Sequence, residues 1–215
     1  MKNFNLALFP LHLVAFPDEE VNLHIFEPRY RQLIRDCEEE NITFGITPYE
    51  DGMTMRVATE MRLIEVSHRY PDGKMDVKTK ALGLVEIKDF SVRMEAKLYP
   101  GGEVTRLVRP ESRGDAVLVA EVYKMIDELY KFMQVDMPVS EWRPESSIYQ
   151  FGHKIGLTFK QEMELLLLSN ENDRLLFVKN HLSQVIPTVR RLEDMKTKVQ
   201  MNGHFKNITP PELGL

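Results

Sequence analysis

Near residue 110 the apolar residues stop recurring at every second position and begin recurring at every third or fourth. A strand sends successive side chains to opposite faces, whereas a helix returns to one face after three or four residues, so the change marks two differently built halves. In the first half Met53, Met55, Val57, Thr59, Met61 and Leu63 alternate with Thr54, Arg56, Glu60 and Arg62, apart from Ala58. Met75, Val77, Thr79 and Ala81 alternate with Lys74, Asp76, Lys78 and Lys80, and Val92, Met94, Ala96 and Leu98 with Arg93, Glu95 and Lys97. Each run predicts a strand with one face in a core and one in water. Tyr70-Pro71-Asp72-Gly73 predicts a hairpin turn between two of them, because Pro presets φ and Gly accepts φ > 0. The register slips after Leu63 through Ile64 and Val66, which predicts a bulge. Short antiparallel strands in succession predict a small β-barrel.

One helix interrupts this half, with Glu27 at its start, Pro28 in a first-turn position that needs no N–H partner, and Tyr30, Leu33, Ile34 and Cys37 on its inner side. Arg31, Arg35, Asp36 and Glu38 are expected to face water. In the second half Asp115 caps a helix carrying Val119, Val122, Tyr123, Ile126, Leu129, Tyr130 and Met133 on one stripe. Pro138 and Pro144 bound a loop with the only tryptophan, Trp142, and Ser146 or Ser147 begins a helix through Ile148, Phe151 and Ile155 that ends near Gly156. Thr158 and Gln161 form a capping box ahead of a helix whose end, 165–168, is all leucine. Asn172 or Asp173 begins the last helix, with Leu175, Leu176, Leu182 and Ile186 inward; Pro187 kinks or restarts it before Val189, Leu192, Met195 and Val199. The expected organisation is α+β: an antiparallel barrel over 1–110, a helical bundle over 111–201 and a loose tail over 202–215.

Composition narrows the function. Lys and Arg number 28 against 33 Asp and Glu, a net charge of -5 that is shared by both halves. Nucleic-acid binding through phosphates calls for a basic surface, so the balance argues against it. One cysteine can form neither an internal disulfide nor a multi-cysteine zinc site, which suits a reducing, cytoplasmic setting. No apolar run approaches the ~20 residues of a membrane span. The histidines lack metal-ligand spacing and no glycine opens a phosphate-binding loop, so neither metal nor cofactor is expected.

The stretches Leu8-Phe9-Pro10-Leu11, Val14-Ala15-Phe16-Pro17, Leu23-His24-Ile25-Phe26-Glu27-Pro28-Arg29-Tyr30 and Phe44-Gly45-Ile46, in this order and spacing, resemble the N-terminal substrate-binding domain of the Lon protease family. Asp72-Gly73, Lys160-Gln161-Glu162 and Asp173-Arg174-Leu175 resemble later motifs of that domain, while Val57-Ala58-Thr59 and Leu84-Val85 depart from its usual pattern. The resemblance implies a PUA-like barrel followed by a helical bundle. It also implies a stand-alone domain, since the chain has neither the P-loop of the family's ATPase nor room for its Ser–Lys protease domain. Such a chain is expected to be a non-enzymatic module that recognises exposed segments of unfolded or partly folded polypeptides, or adapts them to a separate ATP-dependent protease. RNA binding through the barrel, with Arg56, Arg62, Lys78 and Lys80 as its patch, and an enzyme with an unrecognised site are the alternatives.

The residues chosen for the peptide site are His24, Phe26, Glu27, Arg29 and Tyr30, because exposed Arg and aromatic side chains anchor binding. Each also has a structural reading: Glu27 and Pro28 start a helix, Tyr30 is core, and Arg29 pairs with a carboxylate. His24 with Glu27 as an acid–base pair or metal site lacks a third group. Cys37 on an inner stripe reads as a small hydrophobe. Most of the 12 methionines read as core filling, with Met53, Met55, Met61, Met75 and Met94 at inward positions.

Overall fold

In the computed structural model, which describes residues 2–108, 113–135 and 147–204, the first half folds as β1 (Phe4–Leu11), β2 (Glu20–Ile25), α1 (Pro28–Glu40), β3 (Phe44–Glu50), β4 (Met53–Thr54), β5 (Val57–Arg69), β6 (Met75–Ile87) and β7 (Gly101–Arg106). The strand order β1-β7-β6-β5-β3 returns to β1 through a β1–β3 pair, which closes a barrel; β4 extends from β3 and β2 flanks β6. The closing pair is parallel, from Ala7 opposite Phe44 to Leu11 opposite Pro48. The barrel is therefore mixed rather than wholly antiparallel. Parallel neighbours need a crossover, and the segment carrying β2 and α1 supplies it.

The predicted hairpin turn joins β5 to β6, with Gly73 at φ 83 and its N–H donating to the Tyr70 carbonyl at 2.9 Å. The predicted bulge lies between Leu63 and Glu65. Tyr30, Leu33, Ile34 and Cys37 are buried on α1, packed with Phe9, Ile25, Phe44, Met61 and Met75 in the main core. Burial pushes the Cys37 thiol up to about 12, helped by the neighbouring Asp36 carboxylate, so the sulfur stays protonated.

Four expectations are corrected here. Asp36 does not face water: it is buried and accepts hydrogen bonds from the Tyr99 hydroxyl at 2.7 Å and Lys97 Nζ at 2.8 Å. Glu60 is also buried: it lies on the same face of β5 as the buried Ala58, and Thr59 and Met61 are buried on the other, so both faces of the strand are covered here. There it meets Arg106 Nε and Nη2, both at 2.8 Å, and the Thr43 hydroxyl at 2.8 Å. The Arg106 hydrogen bonds hold the Glu60 carboxyl below its usual range. The alternating run around Val92–Leu98 is no strand; Ala96 adopts φ 56, and turns link Met94 N–H to the Tyr99 carbonyl and Lys97 N–H to the Met94 carbonyl. Finally, Met61 and Met75 fill the core but Met53 is 73% exposed on the β3–β4 hairpin.

The second half contains α2 (Ala116–Met133), a 3-10 turn (Ile148–Phe151), α3 (Phe159–Leu167) and α4 (Glu171–His204). Asp115 caps α2 by accepting from the N–H groups of Val117 and Leu118, and the Thr158–Gln161 capping box starts α3. The chain divides into two compact units: the strands, α1, the 3-10 turn and α3 in one, α2 and α4 in the other. The helical stretch expected over 111–201 is thus split. Contacts hold 148–170 in the barrel unit: Phe16 stacks on Tyr149 with ring centroids 5.1 Å apart, and His12 on Phe159 at 4.0 Å. In the other unit Val122, Ile126, Leu129, Leu175, Val178 and Leu182 are buried. Helix α4 passes through Pro187 and ends at His204, so 202–204 are helical rather than loose. Leu176, Leu192, Met195 and Val199, expected to face inward, are exposed. Trp142, Pro138, Pro144 and Ser146 lie outside the described residues. Among those described, no helix is long and apolar enough to cross a membrane.

Candidate functional site

Four separate stretches of the barrel unit converge on a cleft of about 380 Å³: Pro10 at the end of β1, Arg29 and Tyr30 at the start of α1, Tyr49, Gly52 and Thr54 on the β3–β4 hairpin, and Phe90, Val92 and Pro100 on the segment before β7. The hairpin turns through Asp51 at φ 50 and Gly52 at φ 83, two successive left-handed residues as a two-residue type I′ turn requires. Tyr30 is the floor. Its ring stacks on Phe9 at 3.7 Å and burial pushes its phenol up to about 12, so it stays neutral. The Arg29 guanidinium lies 4.6 Å from the centre of the Tyr30 ring and is held by Glu27 at 2.8 Å. Tyr49, Phe90 and Val92 stay exposed, Val92 by 82%. The lining thus combines aromatic and apolar side chains with the Arg29 guanidinium and Thr54, the mixture typical of polypeptide-binding surfaces.

The position of Phe90 and Val92 is set from two sides. Lys88 and Asp89 N–H groups donate to the Glu103 carbonyl at 2.8 and 3.3 Å, and Ser91 exchanges main-chain hydrogen bonds with Gly101 at 2.7 and 3.0 Å. Further along, the Leu98 N–H donates to Gln32 Oε1 at 2.8 Å, and Asp36 holds Tyr99 and Lys97. Burial first, then the hydrogen bond to Asp36, raises the Tyr99 phenol well above its ordinary range, and the Asp36 hydrogen bond likewise raises Lys97. Asp36→Ala is expected to destabilise the chain by about 1–3 kcal/mol, the usual consequence of orphaning a buried hydroxyl such as that of Tyr99. Chemical denaturation against the parent chain checks it; Asp36→Asn, which keeps an acceptor for Tyr99, is expected to lose less.

The five residues predicted for the peptide site divide. Arg29 and Tyr30 line the cleft and Glu27 orients Arg29 without capping the helix through its side chain. His24 belongs elsewhere: with Asn22, Asp76, Lys78 and Ser67 it lines a shallow depression of about 450 Å³ on the outer face of β2, β6 and β5. His24 Nδ1 lies 2.6 Å from Asp76 Oδ1, and the Tyr70 hydroxyl donates to Asp76 Oδ2 at 2.7 Å. Those two bonds hold the Asp76 carboxyl below its ordinary range, His24 contributing most. Phe26 is exposed beside it, its ring 6.3 Å from that of His24. His24 and Glu27 therefore have different partners and do not form one acid–base pair. The suggested basic patch is interleaved with carboxylates, Lys78 with Glu65 at 2.6 Å and Lys80 with Glu20 at 4.0 Å.

Sequence reasoning missed Tyr49, Phe90 and Val92. The available signal was the large apolar side chains beside turn residues, Tyr49 before Asp51-Gly52 and Phe90 with Val92 ahead of Pro100-Gly101-Gly102.

The family model for the substrate-binding domain of ATP-dependent protease La (LON) matches residues 5–204. A solved Lon N-terminal domain protein from Xanthomonas campestris is similar over 80% of this chain and 95% of that one, with 23% identity and a TM-score of 0.60. The N-terminal domain of a Lon protease from the Mycobacterium avium complex is similar over 84% of this chain and 98% of that one, with 17% identity and a TM-score of 0.65. At these identities the two structures speak to the fold. A comparison with curated protein sequences finds no match.

Proposed function

Since this chain belongs to the family of substrate-binding domains of ATP-dependent protease La (LON), we propose that it is a binding module that captures exposed apolar segments of unfolded or partly folded polypeptides, for itself or for delivery to a separate protease. The observation that carries this reading is the cleft lined by Tyr49, Phe90, Val92, Tyr30 and Arg29. Aromatic side chains give large contact area with few rotatable bonds, and Arg adds a planar guanidinium that stacks and donates several hydrogen bonds, which is why these residues dominate binding energy in polypeptide interfaces. Apart from Arg29 and Thr54 the cleft's lining side chains are apolar or aromatic, which suits contact with many different clients.

Truncating the walls tests it. Tyr49→Ala and Phe90→Ala are each expected to weaken binding of a reduced, carboxymethylated polypeptide by about tenfold, the size of a typical aromatic anchor. Fluorescence anisotropy with the labelled polypeptide measures this. Undiminished affinity in both variants, with unchanged melting temperatures, would remove the cleft from the account.

A further inference from the structure

Strand β2 has a partner on one edge only. Residues 20–25 pair antiparallel with β6, from Glu20 opposite Lys80 to Ile25 opposite Met75, and no described strand pairs with the other edge. In an antiparallel pair, hydrogen-bonded and non-bonded residue pairs alternate. The Ala81 N–H donates to the Glu19 carbonyl at 2.8 Å, which fixes the phase. Val21, Leu23 and Ile25 therefore turn their main-chain groups toward β6, and Glu20, Asn22 and His24 turn theirs outward. Among the described residues no hydrogen bond reaches those outward groups. The side chains of Glu20, Asn22 and His24 are exposed on the outer face of the strand.

Sheet edges in soluble proteins are ordinarily blunted by Pro, Lys, a bulge or a covering segment. The strand Glu20-Val21-Asn22-Leu23-His24-Ile25 has none of the first three. We infer that the outer edge of β2 is a second binding site, whose ligand is an extended polypeptide segment that adds itself as a further strand. The occupant follows from the pattern of donors and acceptors. N–H and C=O groups repeated at every second residue are matched by the edge of another extended main chain, whereas a helix has spent its main-chain groups internally. Recognition through the main chain is indifferent to side-chain sequence, so this inference deepens the binding reading above and rests on it. The exposed Phe26 at the end of the strand offers the incoming segment an apolar contact.

Amide hydrogen exchange of the full chain tests it, with an acetylated, amidated peptide of alternating Val and Thr flanked by Lys as the probe. The amides of Asn22 and His24 are expected to exchange freely in the free protein and to slow by more than about tenfold at saturating peptide, while those of Val21, Leu23 and Ile25 are slow throughout. Asn22→Pro removes one outward N–H and spares the ladder to β6, as proline at an edge can. It is expected to weaken binding of both the peptide and the carboxymethylated polypeptide by about tenfold with the melting temperature unchanged. Should that variant fold poorly, Asn22→Lys obstructs the same edge, and the exchange measurement needs no variant. Saturable binding without slowing at Asn22 and His24 overturns the proposal, as does the absence of any binding. The two sites fail separately. Full affinity for the carboxymethylated polypeptide in Asn22→Pro with loss in Phe90→Ala rejects the edge and keeps the cleft, and the reverse rejects the cleft and keeps the edge.

Discussion

Gly102→Ala is expected to destabilise the chain by about 3 kcal/mol, at the upper end of ordinary overpacking, and to lower its melting temperature by roughly 6–12 °C. A Cβ at Gly102 would stand 1.9 Å from the Asp89 carbonyl oxygen and 3.2 Å from the Phe90 Cα. Both are main-chain atoms, so no change of rotamer relieves the clash. The segment carrying Phe90 would have to move off β7, breaking the hydrogen bonds from Lys88 and Asp89 to Glu103. The same displacement takes Phe90 out of the cleft wall, so loss of stability and loss of polypeptide binding are expected together. Gly83→Ala is the control, since nothing lies within 4 Å of a Cβ there. Thermal melts of the two variants decide the matter; equal midpoints would mean that the segment before β7 is not packed as described.

A second large effect is expected from pH. His153 sits between two carboxylates, with Nε2 3.3 Å from Glu19 and Nδ1 2.7 Å from Glu162, and its ring lies against Phe16 at 4.9 Å. The hydrogen bond to Glu19 raises the imidazole most; burial opposes this and Glu162 adds to it, for a value of about 9 against 6.5 in the unfolded chain. A raised value means that the folded state holds the proton more tightly. The stabilisation is therefore complete below about pH 6.5 and is lost as pH rises through about 9. With solvent screening of the partly exposed ring taken into account, its size is on the order of 2 kcal/mol. Denaturant midpoints of the parent chain should fall across that window, and those of His153→Gln should be lower at pH 6 and flatter above it. Parallel profiles for the two proteins would contradict the clamp. Because Glu19 precedes β2 and Glu162 lies on α3, the clamp joins the Phe16–Tyr149 and His12–Phe159 stacks in holding 148–170 to the barrel.

What the sequence disclosed, and what it concealed, follows from how far each partner lies along the chain. Strands β5 and β6 and the turn between them were legible because alternation and the Pro71–Gly73 signal are local. The capping box at Thr158 and the inner stripe of α1 were legible for the same reason. The parallel β1–β3 closure was not, because a parallel pair leaves no turn between its strands. Asp36 and Glu60 read as surface residues until their partners Lys97, Tyr99 and Arg106 are brought to them from far along the chain. The run at Val92–Leu98 has the alternation of a strand, but Ala96 in the left-handed region breaks it into turns. Of the candidate site, the sequence disclosed Arg29 and Tyr30, which sit on one helix start. It concealed Tyr49, Phe90 and Val92, which join them only after the barrel closes, and it grouped His24 with residues that face another side.

The most direct test of the central claim is to titrate the chain against one labelled polypeptide in two states, native and reduced-carboxymethylated, and follow fluorescence anisotropy. Saturable binding of the unfolded state alone, weakened by Tyr49→Ala or Phe90→Ala, is the expected result. Equal binding of both states, or none to the unfolded one at a concentration that saturates a Lon N-terminal domain in the same assay, would contradict it.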